Sequence, residues 1–266
     1  MTVLMETATL TATCENGVAD VVLTRPEVLN RIDAELHADF PVMIERVSAE
    51  PSARAMLLRS EGRAFSAGGD VNMMRRVHSD PETARHMVRE GYRLMHCLLG
   101  LRIPLVCAVQ GPAMGLGANV AFAADAVVAV ADAKFADSHV VMGLVAGDGG
   151  AVVWPQVGGM LRAKRHLLTG DPISGRDAFA AGMVSDLVET VDELLPTARA
   201  LAQRLADLPP LAVQGTKQAL NRVLQQRAGE VFELSLQLEL DTMRSDDLLE
   251  ATAAFLERRP GRYQGR

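Results

Sequence analysis

Positive charge, cysteine and a leader-like start are all scarce in this chain of 266 residues. Lysine and arginine number 27 against 33 acidic residues, for a formal net charge of −6. Apart from short doublets they are scattered, so no basic stripe can track phosphates, and nucleic acid is not an expected partner. The three cysteines, Cys14, Cys97 and Cys107, stand far apart in apolar surroundings. That pattern fits free thiols in a reducing compartment, by default the cytoplasm, better than a disulfide framework. The first ten residues have neither a basic start nor a continuous apolar stretch and do not read as a signal peptide. Residues 103–124 carry no charge and are long enough to span a bilayer. Pro104, Gly111, Pro112, Gly115 and Gly117 divide them into a short strand, a turn and a helix start, and open backbone of that kind cannot face lipid. A membrane is therefore not an expected partner either.

What the chain does have is apolar mass: 48% of residues are hydrophobic, enough for a sizeable core. Residues 9–24 read as a hairpin around Asn16-Gly17, ended by Arg25-Pro26. Asp33 is placed to cap a helix whose Leu36, Phe40, Ile44 and Val47 share a face, with Pro41 expected to kink or shorten it. Strand and helix patterns then alternate: strands near residues 55–58, 105–109, 126–130, 135 and 183–188, and helices near 82–99, 152–168 and 176–181. The alternation implies parallel crossovers and an α/β class. Beyond about residue 195 no strand signal remains, so the reading divides the chain into a core, 1–195, and a helical region, 196–266. Pro196, Pro209, Pro210 and Gly229 punctuate that region. Its last run, residues 232–258, is too apolar for a solvated helix and is expected to pack on the core and on a neighbouring subunit.

Two glycine-bearing segments carry the chemistry: Ala64-Phe65-Ser66-Ala67-Gly68-Gly69-Asp70, and Gln110-Gly111-Pro112-Ala113-Met114-Gly115-Leu116-Gly117-Ala118-Asn119. Each follows a strand-like run and opens a helix-like one, so backbone N–H groups freed there can converge on one developing oxyanion. Read alone, the glycines also fit tight turns and close helix packing. Farther on stand Asp137-Ser138-His139 and Gly147-Asp148-Gly149-Gly150. An imidazole can act as a general base, and a carboxylate on one ring nitrogen would fix its tautomer and leave the other free. The plainer alternatives are a structural histidine, an Asp148 that caps the next helix, and an Asn119 that bonds nearby backbone.

At these segments the sequence resembles the crotonase, or enoyl-CoA hydratase/isomerase, superfamily. Arg25-Pro26-Glu27-Val28-Leu29-Asn30, Ile173-Ser174-Gly175-Arg176-Asp177-Ala178, and Ala254-Phe255-Leu256-Glu257-Arg258-Arg259-Pro260 extend the match. The resemblance implies a spiral of ββα units with a C-terminal helical region for trimerisation and part of the active-site cover. It also implies a homotrimer or dimer of trimers, and an acyl-CoA thioester as substrate, with coenzyme A part of that substrate and no separate cofactor or metal. By the same resemblance the Gly69 and Leu116 amides form the oxyanion hole. Arg25, Val28, Ala67, Gly68, Asp70 and Gly115 become substrate contacts.

The two glutamates of hydratases in that family are replaced here by Asn119 and His139. Asn119 has no proton to exchange near neutral pH and is left a positioning role. His139 becomes the expected base and Asp148 its orienter. Within the superfamily this His/Asp spacing resembles the oxocamphor hydrolase type of β-diketone hydrolase, which cleaves a C–C bond without CoA. Three functions follow as expectations: an acyl-CoA enzyme working through an enolate, a CoA-independent β-diketone hydrolase, and a silent member that binds acyl-CoA without turnover. Glu239 of the helical tail is a further candidate to reach the site and act as a base, although an interface or solvent position is the preferred expectation.

Overall fold

The computed structural model describes residues 1–266. The chain opens with three antiparallel strands, β1 (Thr2–Glu6), β2 (Leu10–Glu15) and β3 (Val18–Leu23). Asn16 and Gly17 form the β2–β3 turn with φ of 50° and 84°, the left-handed pair that a two-residue hairpin requires. β1 is an added edge strand absent from the sequence reading.

Helix α1 (Ala34–Ala49) begins where Asp33 accepts a hydrogen bond from the Leu36 amide. Pro41 sits inside α1 without ending it. An internal proline costs about 3 kcal/mol, while Leu36, Phe40, Met43, Ile44 and Val47 are all buried and contribute roughly 1.5–3 kcal/mol each.

From β4 (Ala55–Ser60) onward the chain winds in repeated turns. β4 leads through the first glycine loop to α2 (Val71–Ser79) and α3 (Pro81–Gly100). β5 (Leu105–Val109) leads through β6 (Ala113–Met114) to α4 (Leu116–Phe122). β7 (Ala126–Val130) leads through β8 (Lys134–Ala136) to α5 (Gly150–Gly158) and α6 (Met160–Leu167). β9 (Ile173–Ser174), α7 (Gly175–Ala180) and β10 (Asp186–Val188) close the series.

One sheet is ordered β1-β2-β3-β4-β5-β7-β10 and is parallel from β3 on, and the second is β6-β8-β9, with Ser66 bridged to Ala113 at its margin. Each turn thus crosses from the large sheet to the small one and then into a helix, the spiral of ββα units that the resemblance implies.

The tail is three helices: α8 (Val191–Asp207), α9 (Pro210–Thr242) and α10 (Asp246–Glu257). A capping box of Thr190 and Glu193 starts α8, and Pro196 lies within it, so the 195/196 division falls inside a helix. α9 runs unbroken through Gly229. The run expected over residues 232–258 is instead split, because Ser245 caps a new helix by accepting from the Leu248 amide. The tail shares the main core through Ala198, Ala202, Ala228, Phe232 and Leu236. It is pinned by the buried Lys217 ammonium, which donates to Asp125 at 2.6 Å and to the Ile103 carbonyl at 2.7 Å.

Candidate active site

The two glycine loops lie against each other. Gly68 has φ of 80°, and a Cβ there would stand 2.8 Å from the Met114 carbonyl oxygen, so only glycine fits. Gly115 has φ of 52° and delivers the chain into α4. Leu116 is the first residue of α4, and its amide, like that of Gly69, donates to no acceptor within the protein. First-turn amides have no intrahelical partner, and both residues line one small inner cavity.

One turn into α4, Asn119 is fully buried. Its carbonyl oxygen accepts from the Trp154 indole N–H on α5 at 2.9 Å, which fixes the direction of the amide. The amide nitrogen then donates to Asp137 Oδ2 at 3.2 Å and to Asp148 Oδ1 at 2.8 Å. Asn119 is a bridge between two carboxylates, not a backbone-bonding helix residue.

His139 lies between the same two acids. Its Nδ1 is 2.6 Å from Asp137 Oδ1, and its Nε2 is 3.2 Å from Asp148 Oδ2. The carboxylate at Nδ1 is therefore Asp137, and Asp148 faces the nitrogen that the sequence reading left open. Burial alone would lower the pKa of this imidazole, but Asp148 and Asp137 outweigh burial and hold it well above the ordinary histidine value. With a carboxylate at each ring nitrogen, the surroundings favour the charged imidazolium over the neutral ring. Asp137, though buried, stays below its ordinary value because His139 and Asn119 favour its charged form.

Asp148 is not a helix cap. The N-cap of α5 is Gly149, whose φ is 134°, and no side chain caps that helix. Asp137, His139 and Asp148 bring three ligand-type atoms within 4.8 Å of one another.

Glu239 of α9 enters from the tail, contrary to its expected place at an interface or in solvent. It is buried, lines the cavity, and has Oε1 3.9 Å from His139 Nε2. Burial, reinforced by Asp148, raises its pKa well above the ordinary value, which favours the neutral carboxyl.

The remaining expected contacts divide. Ala67 and Gly115 line an outer groove that shares Gly69, Met74 and His139 with the inner cavity. Gly68 shapes the loop, and neither it nor Val28 lines either space. Arg25 is held by a bidentate pair with Asp33 at 2.8 Å, and Asp70 caps α2 by accepting from the Asn72 amide. Both acts are structural. The Asp137–His139 pair lies past the end of β8, in a turn where Asp137 Oδ1 also accepts from the His139 amide, so no strand spacing marks it. Nothing local marks Glu239.

The sequence profile of the enoyl-CoA hydratase/isomerase family matches residues 13–266. The chain is 34% identical over 260 residues to the 1,2-epoxyphenylacetyl-CoA isomerase of Escherichia coli, covering 95% of this chain and 97% of that one. It is 34% identical over 263 residues to the (E)-benzylidenesuccinyl-CoA hydratase of Thauera aromatica, covering 96% and 99%. Among solved structures, an enoyl-CoA hydratase/isomerase from Mycobacterium paratuberculosis superposes with a TM-score of 0.89 at 31% identity, covering 93% of this chain and 98% of that one.

Proposed function

Because this chain belongs to the enoyl-CoA hydratase/isomerase family, we propose that it acts on an acyl-CoA thioester through an enolate. The thioester oxygen lies between the amides of Gly69 and Leu116, and the outer groove takes the pantetheine arm. Its walls of Val71, Met74, Met114, Val141, Met142 and Phe255 suit a thin, mostly uncharged chain. No group beyond the coenzyme A of the substrate enters the reaction.

The carrying observation is that two partnerless amides, His139 and Asp148 line one cavity, with Asp137 buried behind the imidazole. Two amides aimed at a developing oxyanion are preorganised and cost no rearrangement in the transition state. Proton roles follow from charge. Asp148 takes a proton from water or substrate. His139, already charged, gives one to the enolate carbon, with Asp137 holding the ring in place. Asn119 does no proton transfer and keeps the two aspartates apart. The same groups serve addition of water to an enoyl thioester and hydrolytic cleavage of a C–C bond beside the carbonyl.

The assembly is a homotrimer or a dimer of trimers, supported by exposed apolar side chains such as Leu211, Leu220 and Leu234 on α9 and Phe255 on α10.

A product survey by mass spectrometry tests the proposal, with enoyl-CoA, β-ketoacyl-CoA and cyclic β-diketone substrates. Turnover of a CoA thioester supports it. Turnover of a CoA-free diketone, with no saturable binding of any CoA ester, replaces it with a CoA-independent β-diketone hydrolase. Saturable CoA-ester binding without turnover of any member leaves a silent acyl-CoA-binding protein.

A further inference from the structure

Two buried polar side chains in the inner cavity have nothing to bind. Glu239 and His37, the latter on α1, both line it, and both are more than nine-tenths buried. Glu239 Oε2 and His37 Nδ1 are out of solvent contact without a hydrogen-bond partner, and Glu239 Oε1, at 3.9 Å from His139, is beyond hydrogen-bond reach. Buried polar groups in folded proteins are nearly always paired, so two side chains on the wall of one small space with no hydrogen bond between them or to the protein call for a reason. The rest of the wall is apolar, chiefly Met73, Met87, Val88, Leu236 and Met243.

We infer that His37 and Glu239 form a binding site for a second, uncharged carbonyl oxygen on the acyl group, so that the substrate is a compact β-oxo acyl thioester. The inference rests on the acyl-thioester reading of the same cavity. Burial lowers the pKa of His37 and raises that of Glu239, so each presents one neutral donor, a ring N–H and a carboxyl O–H. A carbonyl oxygen accepts from both. An anionic group is refused by Asp148 and Asp137 close by, and an unadorned alkyl chain leaves both donors unpaired. A β carbonyl is the nearest second oxygen that leaves the α carbon free for His139 and Asp148.

Calorimetric titration with butyryl-CoA and acetoacetyl-CoA, which differ by one oxygen, reads the site directly. The Asp148→Asn background stops turnover during the titration. Acetoacetyl-CoA is expected to bind about tenfold or more tighter, since a site built to pair an oxygen rejects the analogue lacking it. His37→Leu and Glu239→Leu should each bring the two affinities together without weakening butyryl-CoA. Glu239→Gln, which keeps a neutral donor, should retain most of the preference. Because neither side chain is hydrogen-bonded in the empty protein, the leucine variants should melt no lower than the parent, so a lost preference is not lost folding.

Equal binding of the two thioesters, or a preference that survives both leucine variants, overturns the inference and leaves the two groups merely hydrated. If neither thioester binds, the acyl-thioester reading fails, and a cyclic β-diketone is titrated against the monoketone of the same ring. Tighter diketone binding that Glu239→Leu abolishes upholds the second-oxygen site, and equal or absent binding overturns it.

Discussion

The Nδ1 of His139 lies 2.6 Å from Oδ1 of Asp137, two residues earlier in the chain. This contact makes His139 a donor. In Asp137→Asn the ring loses its charged partner, and turnover should fall by roughly 10²–10⁴-fold, as it does when the carboxylate behind a catalytic histidine is neutralised. Steady-state kinetics on the substrate found in the product survey checks this.

The direction of the pH dependence follows. Because the folded-state pKa of His139 is raised well above 6.5, activity that needs the imidazolium should be flat through neutrality and decline only as pH rises through that higher value. A neutral-base mechanism would instead show activity climbing through about pH 6.5. Stability moves the same way: the contribution of His139 is fully present below its unfolded-state value and is lost as pH rises through its folded-state value. Thermal melts of the native protein and His139→Gln across neutral to alkaline pH should therefore converge at high pH.

Asn119 separates Asp137 and Asp148 by donating to both. Asn119→Asp removes the donors and sets a third carboxyl against the other two. It should cost at least ~2 kcal/mol, because a buried charged acceptor left without its donor forfeits its desolvation energy. Denaturant unfolding measures it. Restoring glutamate at 119 or 139 should not yield an efficient hydratase, since each newcomer faces Asp148 with like charge.

Gly69→Pro deletes one of the two free amides. Loss of an oxyanion donor typically costs roughly 100-fold or more in turnover. Circular dichroism on the same sample separates that loss from misfolding of the loop.

The core and the glycine loops were legible because their causes are local. Alternating apolar runs mark the strands, and positions such as Gly68 tolerate no Cβ. Helix ends were less so. Pro41 and Gly229 look like breaks, yet the buried faces of α1 and α9 carry the helices through them. The charge state of His139 was hidden for a different reason: Asp148 alone suggests an orienter, and only the fold reveals that Asp137 holds the other nitrogen. His37 was beyond local reading, and Glu239 was a candidate from the tail but not the preferred one, because the two meet at one cavity from α1 and α9, far apart in sequence.

The central claim is an enolate held at Gly69 and Leu116 and protonated within the His139–Asp148 pair. Turnover in deuterium oxide, with the thioester product analysed by mass spectrometry, tests it most directly. The account predicts solvent deuterium at the α carbon of the product, formed at a rate that collapses in Asp148→Asn and His139→Gln. Product formed at the native rate without deuterium at that carbon, or deuterium incorporation unchanged in those two well-folded variants, would contradict it.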